Sequence, residues 1–476
     1  RPLRPSYGGH LIVPSNISHS STSQRHFCLA EEFSMASDND PTSSDSLYVD
    51  EFGIIKVALI HCPSFERYAQ LYMPLESEIS IEIEAPPSES ALHIANNRDL
   101  LTEILLHLPP RSLLRLQTVS KQWLSIISSP LFCRLHTHRN AKSSASTIGL
   151  LLCRNPTFSF LSLREKDFST MSMMNERFSS IRDGKSIRHV NSCNGLFCLD
   201  FSFSDGKREF YIYNLTTGKY RLIPIPDTIG EPQLVKTMNL GFDPEKPEHY
   251  DVVCVYLSVS ENQLRFAVYS SGTGTWRHST ECYDCNQYGE VELCCYYGVF
   301  WNGAVHWVSQ TGPFLCFEIG NCRLRSMPNT PIPEGKWHRG IEYFGESGGH
   351  LHLIDINLPQ STEFDILELE VDYSRWFVKY HIDLDFLPNL YPSMVNQEVN
   401  PPEDYAYSNV SSIICFLEDE AMLLLSLPGK IILYKLGNGM VEELADVKPA
   451  SFRLFIDGAR FDGFDMYKHV ETLACV

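Results

Sequence analysis

The amino-acid sequence predicts a mainly β protein, a ring of short sheets of the propeller type, with a small α-helical cluster ahead of it. Hydrophobic periodicity is helical between Asn96 and His136 and turns strand-like beyond Asn140, where no convincing long helix follows. A strand, a turn rich in Thr, Gly or Asn, and a closing aromatic then recur, as in Asn214 to Tyr220, Ser270 to Trp276 and Glu370 to Trp376. A short sheet of this kind buries both faces only against its neighbours, so repetition selects a ring over a sandwich or barrel.

Residues 1–95 form a leader. The first 50 are rich in Ser, Pro, Asn and Asp with few large apolar groups, a composition that predicts disorder. Met35 opens a MASDND run that would serve as a start of its own. From Glu51 to Glu84, Ile54, Ile55, Val57, Leu59 and Ile60 and the alternating Ile79, Ile81 and Ile83 have strand character, cut by Pro63, Pro74, Pro86 and Pro87. No function is assigned to this leader.

The helical cluster spans residues 96–136. Asn96 and Asn97 are good caps for a first helix whose stripe is Leu100, Leu101, Ile104, Leu105 and Leu108. Pro109 and Pro110 end it and place Leu108 at a turn. Pro110 or Ser112 starts a second helix with Leu113, Leu114, Leu116 and Val119 on its apolar side and Arg111 and Arg115 in solvent. A third carries Trp123, Leu124, Ile126 and Ile127, and Ser129-Pro130 restarts a short fourth with Phe132 and Leu135. A chain of ~40 residues cannot close a stable core unaided, so this apolar surplus asks for a partner. The plainer reading of the leucine stripes alone is a helical hairpin laid on the core of the next domain.

The body, residues 140–476, repeats itself. Asn191 to Gly195 precedes a strand from Leu196, and Phe210 to Tyr220 makes a hairpin. A second unit runs from Leu240-Gly-Phe-Asp243 through Tyr250–Tyr256 to Trp276; a third runs from Gly298 through Trp307 to Leu324. Two weaker units follow, one pairing His350–Asp355 with Phe364–Leu369 and Trp376, the other Ala421–Leu425 with Ile431–Tyr434. At roughly 50 residues per blade, this body has space for about six or seven.

Composition narrows the function. Of 476 residues 43% are hydrophobic and 20% charged, ordinary for a globular protein of more than one domain. The net charge of −19 argues against nucleic acid or an anionic membrane as partner. The helical cluster departs from this, with Arg98, Arg111, Arg115, Lys121 and Arg134 against Asp99 and Glu103, a net of plus three. A basic island in an acidic chain suits an acidic docking partner. Fifteen cysteines without paired spacing, and no apolar signal segment, read as a reducing compartment, cytoplasm and/or nucleus. On that reading the glycosylation triplets at Asn16, Asn214 and Asn409 are coincidental.

Chemistry is sparse. Cys282-x-x-Cys285 with Cys294-Cys295 has thiolates for zinc, but the second pair is adjacent rather than spaced, and cysteine is common in buried strands. Cys193 and Cys198 flank a Gly turn and read as core. His350 and His352 share one side of a strand, yet no third ligand stands nearby in the sequence; no metal or cofactor is assigned. There is no phosphate loop, nucleophile elbow or metalloprotease helix; Gly272-Thr-Gly274 reads as a hairpin turn, and Asp419 and Glu420 as solvated charge. Because propellers do host enzymes, an enzyme or ligand sensor whose helices only oligomerise stays as an alternative.

The helical stretch resembles the F-box, by which substrate receptors dock on the adaptor of SCF-type cullin–RING ubiquitin ligases. The likeness lies in the leucine-rich helix from Asp99, the Leu108-Pro109 turn, Ser112-Leu113-Leu114-Arg115 and Val119-Ser120-Lys121-x-Trp123. It implies adaptor docking through Leu100, Ile104, Leu105, Leu108, Pro109, Leu113, Leu116, Val119, Ser120 and Trp123. The body resembles the kelch-like F-box-associated domain of plant F-box proteins in Asn191-Ser-Cys-Asn-Gly-Leu, Asn214-Leu-Thr-Thr-Gly, Gly241-Phe-Asp and Asn302-Gly-Ala-Val-His-Trp307. Only Gly348-Gly349 supplies the kelch glycine pair. Together they imply a non-catalytic ligase subunit, partnered by adaptor and cullin, that holds an unknown target protein for ubiquitination and degradation. An F-box scaffold acting outside the ligase is the further alternative.

Overall fold

A computed structural model of the chain describes residues 45–49, 55–59, 97–140, 149–154, 157–163, 168–170, 185–203, 205–230, 234–285, 298–332, 339–356, 362–392, 412–418, 421–427, 430–446 and 465–476. In the leader, β1 (Asp45–Val49) pairs antiparallel with β2 (Ile55–Leu59). The expectations for the rest of the leader, and for Cys294-Cys295 and Asp419-Glu420, fall outside the described residues.

Four helices follow: α1 (Arg98–Leu105), α2 (Pro110–Leu116), α3 (Lys121–Ile127) and α4 (Pro130–Asn140). The first stops three residues before Leu108, because a proline ring clashes with the carbonyl four residues back, and for Pro109 that carbonyl belongs to Leu105. The fourth is longer than the sequence suggests, running to Asn140, whose side-chain amide donates to the His136 carbonyl at 2.8 Å. The chain divides into two compact units, residues 98–105 and 114–127 lying in one, residues 106–113 and 128 onward in the other.

The β body is a six-bladed propeller of four-stranded antiparallel sheets. The first blade holds β3 (Gly149–Arg154), β4 (Thr157–Ser162) and β5 (Phe168–Thr170). The second holds β6 (Lys185–Cys193), β7 (Leu196–Phe203), β8 (Arg208–Asn214) and β9 (Tyr220–Ile223). The third holds β10 (Val235–Gly241), β11 (Asp251–Ser258), β12 (Gln263–Ser270) and β13 (Thr275–Asp284). The fourth holds β14 (Val299–Trp301), β15 (Ala304–Trp307), β16 (Phe314–Glu318) and β17 (Arg323–Met327). The fifth holds β18 (Ile341–Ser347), β19 (His350–Asp355), β20 (Glu363–Leu369) and β21 (Trp376–Asp383), followed by the single turn α5 (Leu387–Leu390). The sixth holds β22 (Ser412–Leu417), β23 (Met422–Leu427), β24 (Lys430–Lys435) and β25 (Met440–Asp446). The last strand, β26 (Asp465–His469), returns to the first blade and pairs with β3, His469 opposite Gly149.

Among the described residues six apolar clusters hold the ring, each shared by two consecutive blades, the last joining Leu424 and Leu433 of the sixth to Leu150 and Leu161 of the first. This is the burial on both faces that the repeat demanded. The closing aromatics act as bolts: Trp276 Nε1 donates to the Pro224 carbonyl at 3.0 Å and Trp376 Nε1 to the Pro328 carbonyl at 2.7 Å, each reaching the preceding blade. Tyr220, at the equivalent place, lies 48% exposed instead.

The motif residues do more than turn the chain. Asn194 and Gly195, at φ 47° and 85°, and Asn302 and Gly303, at 48° and 73°, have the left-handed pair that tight hairpins of this twist require. Asn191 spans blades, its amide donating to the Gly298 carbonyl at 2.7 Å and its oxygen accepting from the Leu240 amide at 2.8 Å. Asn214 donates to the carbonyls of Thr472 at 3.1 Å and Ala474 at 2.9 Å, fastening the tail beyond β26 to the second blade. Among the described residues no helix is long and apolar enough to cross a membrane.

Candidate functional site

The helical segment is built on polar caps. Asn97 Oδ1 accepts from the amides of Asp99 at 3.0 Å and Leu100 at 3.2 Å, Ser120 Oγ from Trp123 at 3.2 Å and Ser129 Oγ from Phe132 at 3.2 Å. Each satisfies amides that a helix start leaves without internal partners. Ser120, expected as a docking residue, therefore has a structural task at the start of α3. Pro110 opens α2, where its missing amide costs nothing.

The Leu108-Pro109 turn is pinned from α4. His136 is buried and its Nε2–H donates to the Leu108 carbonyl at 2.8 Å, while its ring stacks on Phe132. Burial lowers the His136 imidazole below its ordinary value, opposed by that hydrogen bond. Sequence reasoning missed this residue, because a lone histidine late in a helix carries no signal of the carbonyl it will meet.

The ten expected docking residues separate by exposure. Leu105, Leu113 and Trp123 are buried within the chain, Ile104, Leu108, Leu116, Val119 and Ser120 are half-buried, and Leu100 and Pro109 are exposed. Three further large apolar side chains stand in solvent, Leu124 on α3 and Leu131 and Leu135 on α4, at 46%, 60% and 46%. Helices normally turn such residues inward, and each of these leucines is instead left in water.

In the propeller, the cysteines and histidines weighed as ligands and left unassigned fall on different blades. Cys282 is half-buried and Cys285 buried. Cys193 is core, its sulfur accepting from the Phe242 amide at 3.3 Å, and burial pushes its thiol up to about 12. His352 is fully buried, and burial lowers its imidazole to about 4. The strand pairing sets it opposite Glu368, and Glu418 of the next blade completes a group of three. Neither acid was visible beside His350-x-His352 in the sequence, since one arrives by register and the other across a blade boundary. Glu363, Asp383 and Asp385 form a second acidic group, exposed to solvent, where charge is ordinarily hydrated.

Elsewhere buried polar groups serve the fold. Arg208 and Asp200 make a buried two-contact pair, Arg208 also donating to the Val235 carbonyl. Arg339 lies over the Phe314 ring and donates to carbonyls of Thr330, Ser309, Gln310 and Gly312. His306 donates from Nδ1 to the Val299 carbonyl at 3.1 Å and accepts at Nε2 from Tyr373 Oη at 2.9 Å.

Comparison with known proteins agrees with this architecture. Residues 97–135 match the F-box domain and residues 150–336 the F-box associated beta propeller domain. F-box protein At5g07610 of Arabidopsis thaliana is 30% identical over 392 residues, covering 76% of this chain and 88% of that protein. F-box protein At5g03970 of the same plant is 24% identical, covering 60% of each, and F-box/kelch-repeat protein At3g23880 is 22% identical, covering 48% of this chain and 64% of its own length.

Proposed function

This chain belongs to the F-box proteins that carry an F-box-associated β-propeller, and on that premise we propose that it is the target-recognition subunit of an SCF-type cullin–RING ubiquitin ligase. The observation that carries the proposal is the set of solvent-exposed leucines on a capped, basic helical segment that matches the F-box domain. The adaptor would cover Leu100, Leu108, Pro109, Leu116, Val119 and Leu124, with Ile104 at the edge of the contact. Leu105, Leu113 and Trp123, buried within the chain, would hold their own helices in shape, and Ser120 would hold α3 in place. Five basic side chains against two acidic ones would speed encounter with an acidic adaptor.

The propeller would hold the target protein, and the ligase would supply the chemistry. The chain itself then contributes proximity: acceptor lysine and ubiquitin thioester, held on one assembly, react at a raised effective concentration. The test is co-purification of the full chain with adaptor and cullin, wild type beside a Leu108→Asp, Pro109→Ala double variant. Wild type retained on both subunits and the variant lost from both is the expected result. Retention of adaptor without cullin would instead place the protein in a scaffold outside the ligase, and no retention at all would return the propeller to the ligand-sensor reading.

A further inference from the structure

His352 on β19 has no exposed surface, and neither nitrogen of its ring has a hydrogen-bond partner among the described residues. Its Nε2 faces two carboxylates, 3.3 Å from Oε2 of Glu368 and 3.3 Å from Oε2 of Glu418. Those two oxygens are buried, and apart from the Lys379 ammonium 2.9 Å from Glu368 Oε2 they have no hydrogen-bond donor among the described residues. An N–H lying between two acids normally aligns with one of them at a shorter distance. Here the imidazole nitrogen stands equally far from both oxygens, aligned with neither, and all three atoms lie within 4.8 Å of one another. Ligand atoms about 2.0–2.1 Å from a tetrahedral zinc ion stand about 3.3 Å from one another, the spacing of His352 Nε2 from each carboxylate oxygen here.

We propose that His352, Glu368 and Glu418 form a site for zinc or a divalent metal of the same coordination habit, joining the fifth blade to the sixth. Lys379 is the cation such a metal displaces: its Nζ lies 2.9 Å from Glu368 Oε2 and 3.0 Å from Glu418 Oε1, and 30% of its side chain is exposed. A flexible ammonium on the edge strand β21 moves into water at little cost, and solvent fills the fourth position it vacates. His350 supports the set from outside, its Nδ1 standing 3.2 Å from Oε1 of Glu368, as partners of metal-bound carboxylates do. The clamp is prepared on the backbone as well, where the Glu418 amide donates to Ser347 Oγ of the fifth blade at 2.8 Å.

Cobalt titration of the full chain, stripped of metal by chelator, tests the assignment. Cobalt bound to nitrogen and oxygen in a tetrahedral site gives visible bands without the near-ultraviolet charge transfer of thiolates, so it separates this site from any cysteine site. One equivalent of such cobalt, displaced by zinc, is expected for wild type. Glu418→Gln should weaken binding at least about 100-fold, beyond what loss of an outer partner costs. Lys379→Ala removes the competitor and should tighten binding about 10-fold, a gain that misfolding cannot imitate. Zinc should also raise the melting temperature of wild type and of Lys379→Ala but not of Glu418→Gln. Absence of these bands, thiolate bands in their place, unchanged binding in Glu418→Gln, or weaker binding in Lys379→Ala would each overturn the proposal.

Discussion

Replacing Asn214 by alanine removes the fastening between the second blade and the carboxy-terminal tail. The side chain is fully buried and makes three hydrogen bonds, donating to the carbonyls of Thr472 and Ala474 and accepting from the Thr217 amide at 3.1 Å. Each such bond is worth about 1 kcal/mol net, and stripping a buried partner costs somewhat more, so a loss of about 2–4 kcal/mol follows. For a propeller of roughly 330 residues, an unfolding entropy of about 0.7 kcal/mol/K turns that into a fall of about 3–6 °C in Tm. Asn214→Asp is the sharper companion, since it aims a carboxylate oxygen at two carbonyls and should lower Tm further than alanine does. Calorimetry reads the global loss, and carboxypeptidase trimming of residues 472–476 reads local release of the tail. A shift below about 1 °C, or an aspartate variant no worse than the alanine one, would refute the idea that this residue fastens the tail to the second blade.

Other outcomes follow from the same structure. Leu105→Ala, at a fully buried position, should lower the urea midpoint of the helical dichroism signal by the equivalent of about 2–5 kcal/mol. Arg208→Met should cost about 3–5 kcal/mol by leaving Asp200 as an uncompensated buried carboxylate, and adding Asp200→Asn should recover part of it in chemical denaturation. Burial lowers the His306 imidazole to about 4, against about 6.5 in an unfolded chain, so the unfolded state takes the proton first. Its contribution is therefore complete above about pH 6.5 and is lost as pH falls towards 4, to a limit of about 3 kcal/mol; His306→Gln should flatten that part of the stability profile, and an unchanged slope would contradict the assignment.

What the sequence made legible was local. Asn97, Ser129 and the Pro109-Pro110 pair act within a few residues, so helix number and starts could be read directly, while the early stop of α1 needed the clash between Pro109 and the Leu105 carbonyl. Blades two to six announced themselves through hairpin turns such as Asn194-Gly195 and Asn302-Gly303. The first blade stayed hidden because its fourth strand comes from the other end of the chain, and pairing of His469 with Gly149 leaves no mark in either segment alone. The same limit applied to the sites. One leucine periodicity serves both the helical core and the exposed surface, so Leu105 and Leu100 look alike until burial separates them. His350-x-His352 lacked a third ligand in the sequence because Glu418 arrives from the next blade.

Equilibrium binding of the full chain to the isolated adaptor subunit, with Leu100→Asp beside wild type, goes most directly to the central claim. Leu100 is 42% exposed, so a charge there leaves the helix folded but would lie unpaired under a bound adaptor, a penalty of several kcal/mol. Saturable one-to-one binding by wild type and a loss of about 100-fold or more in the variant, with its helical signal intact, is the result this account predicts. No binding by wild type, or equal binding by both, would contradict it.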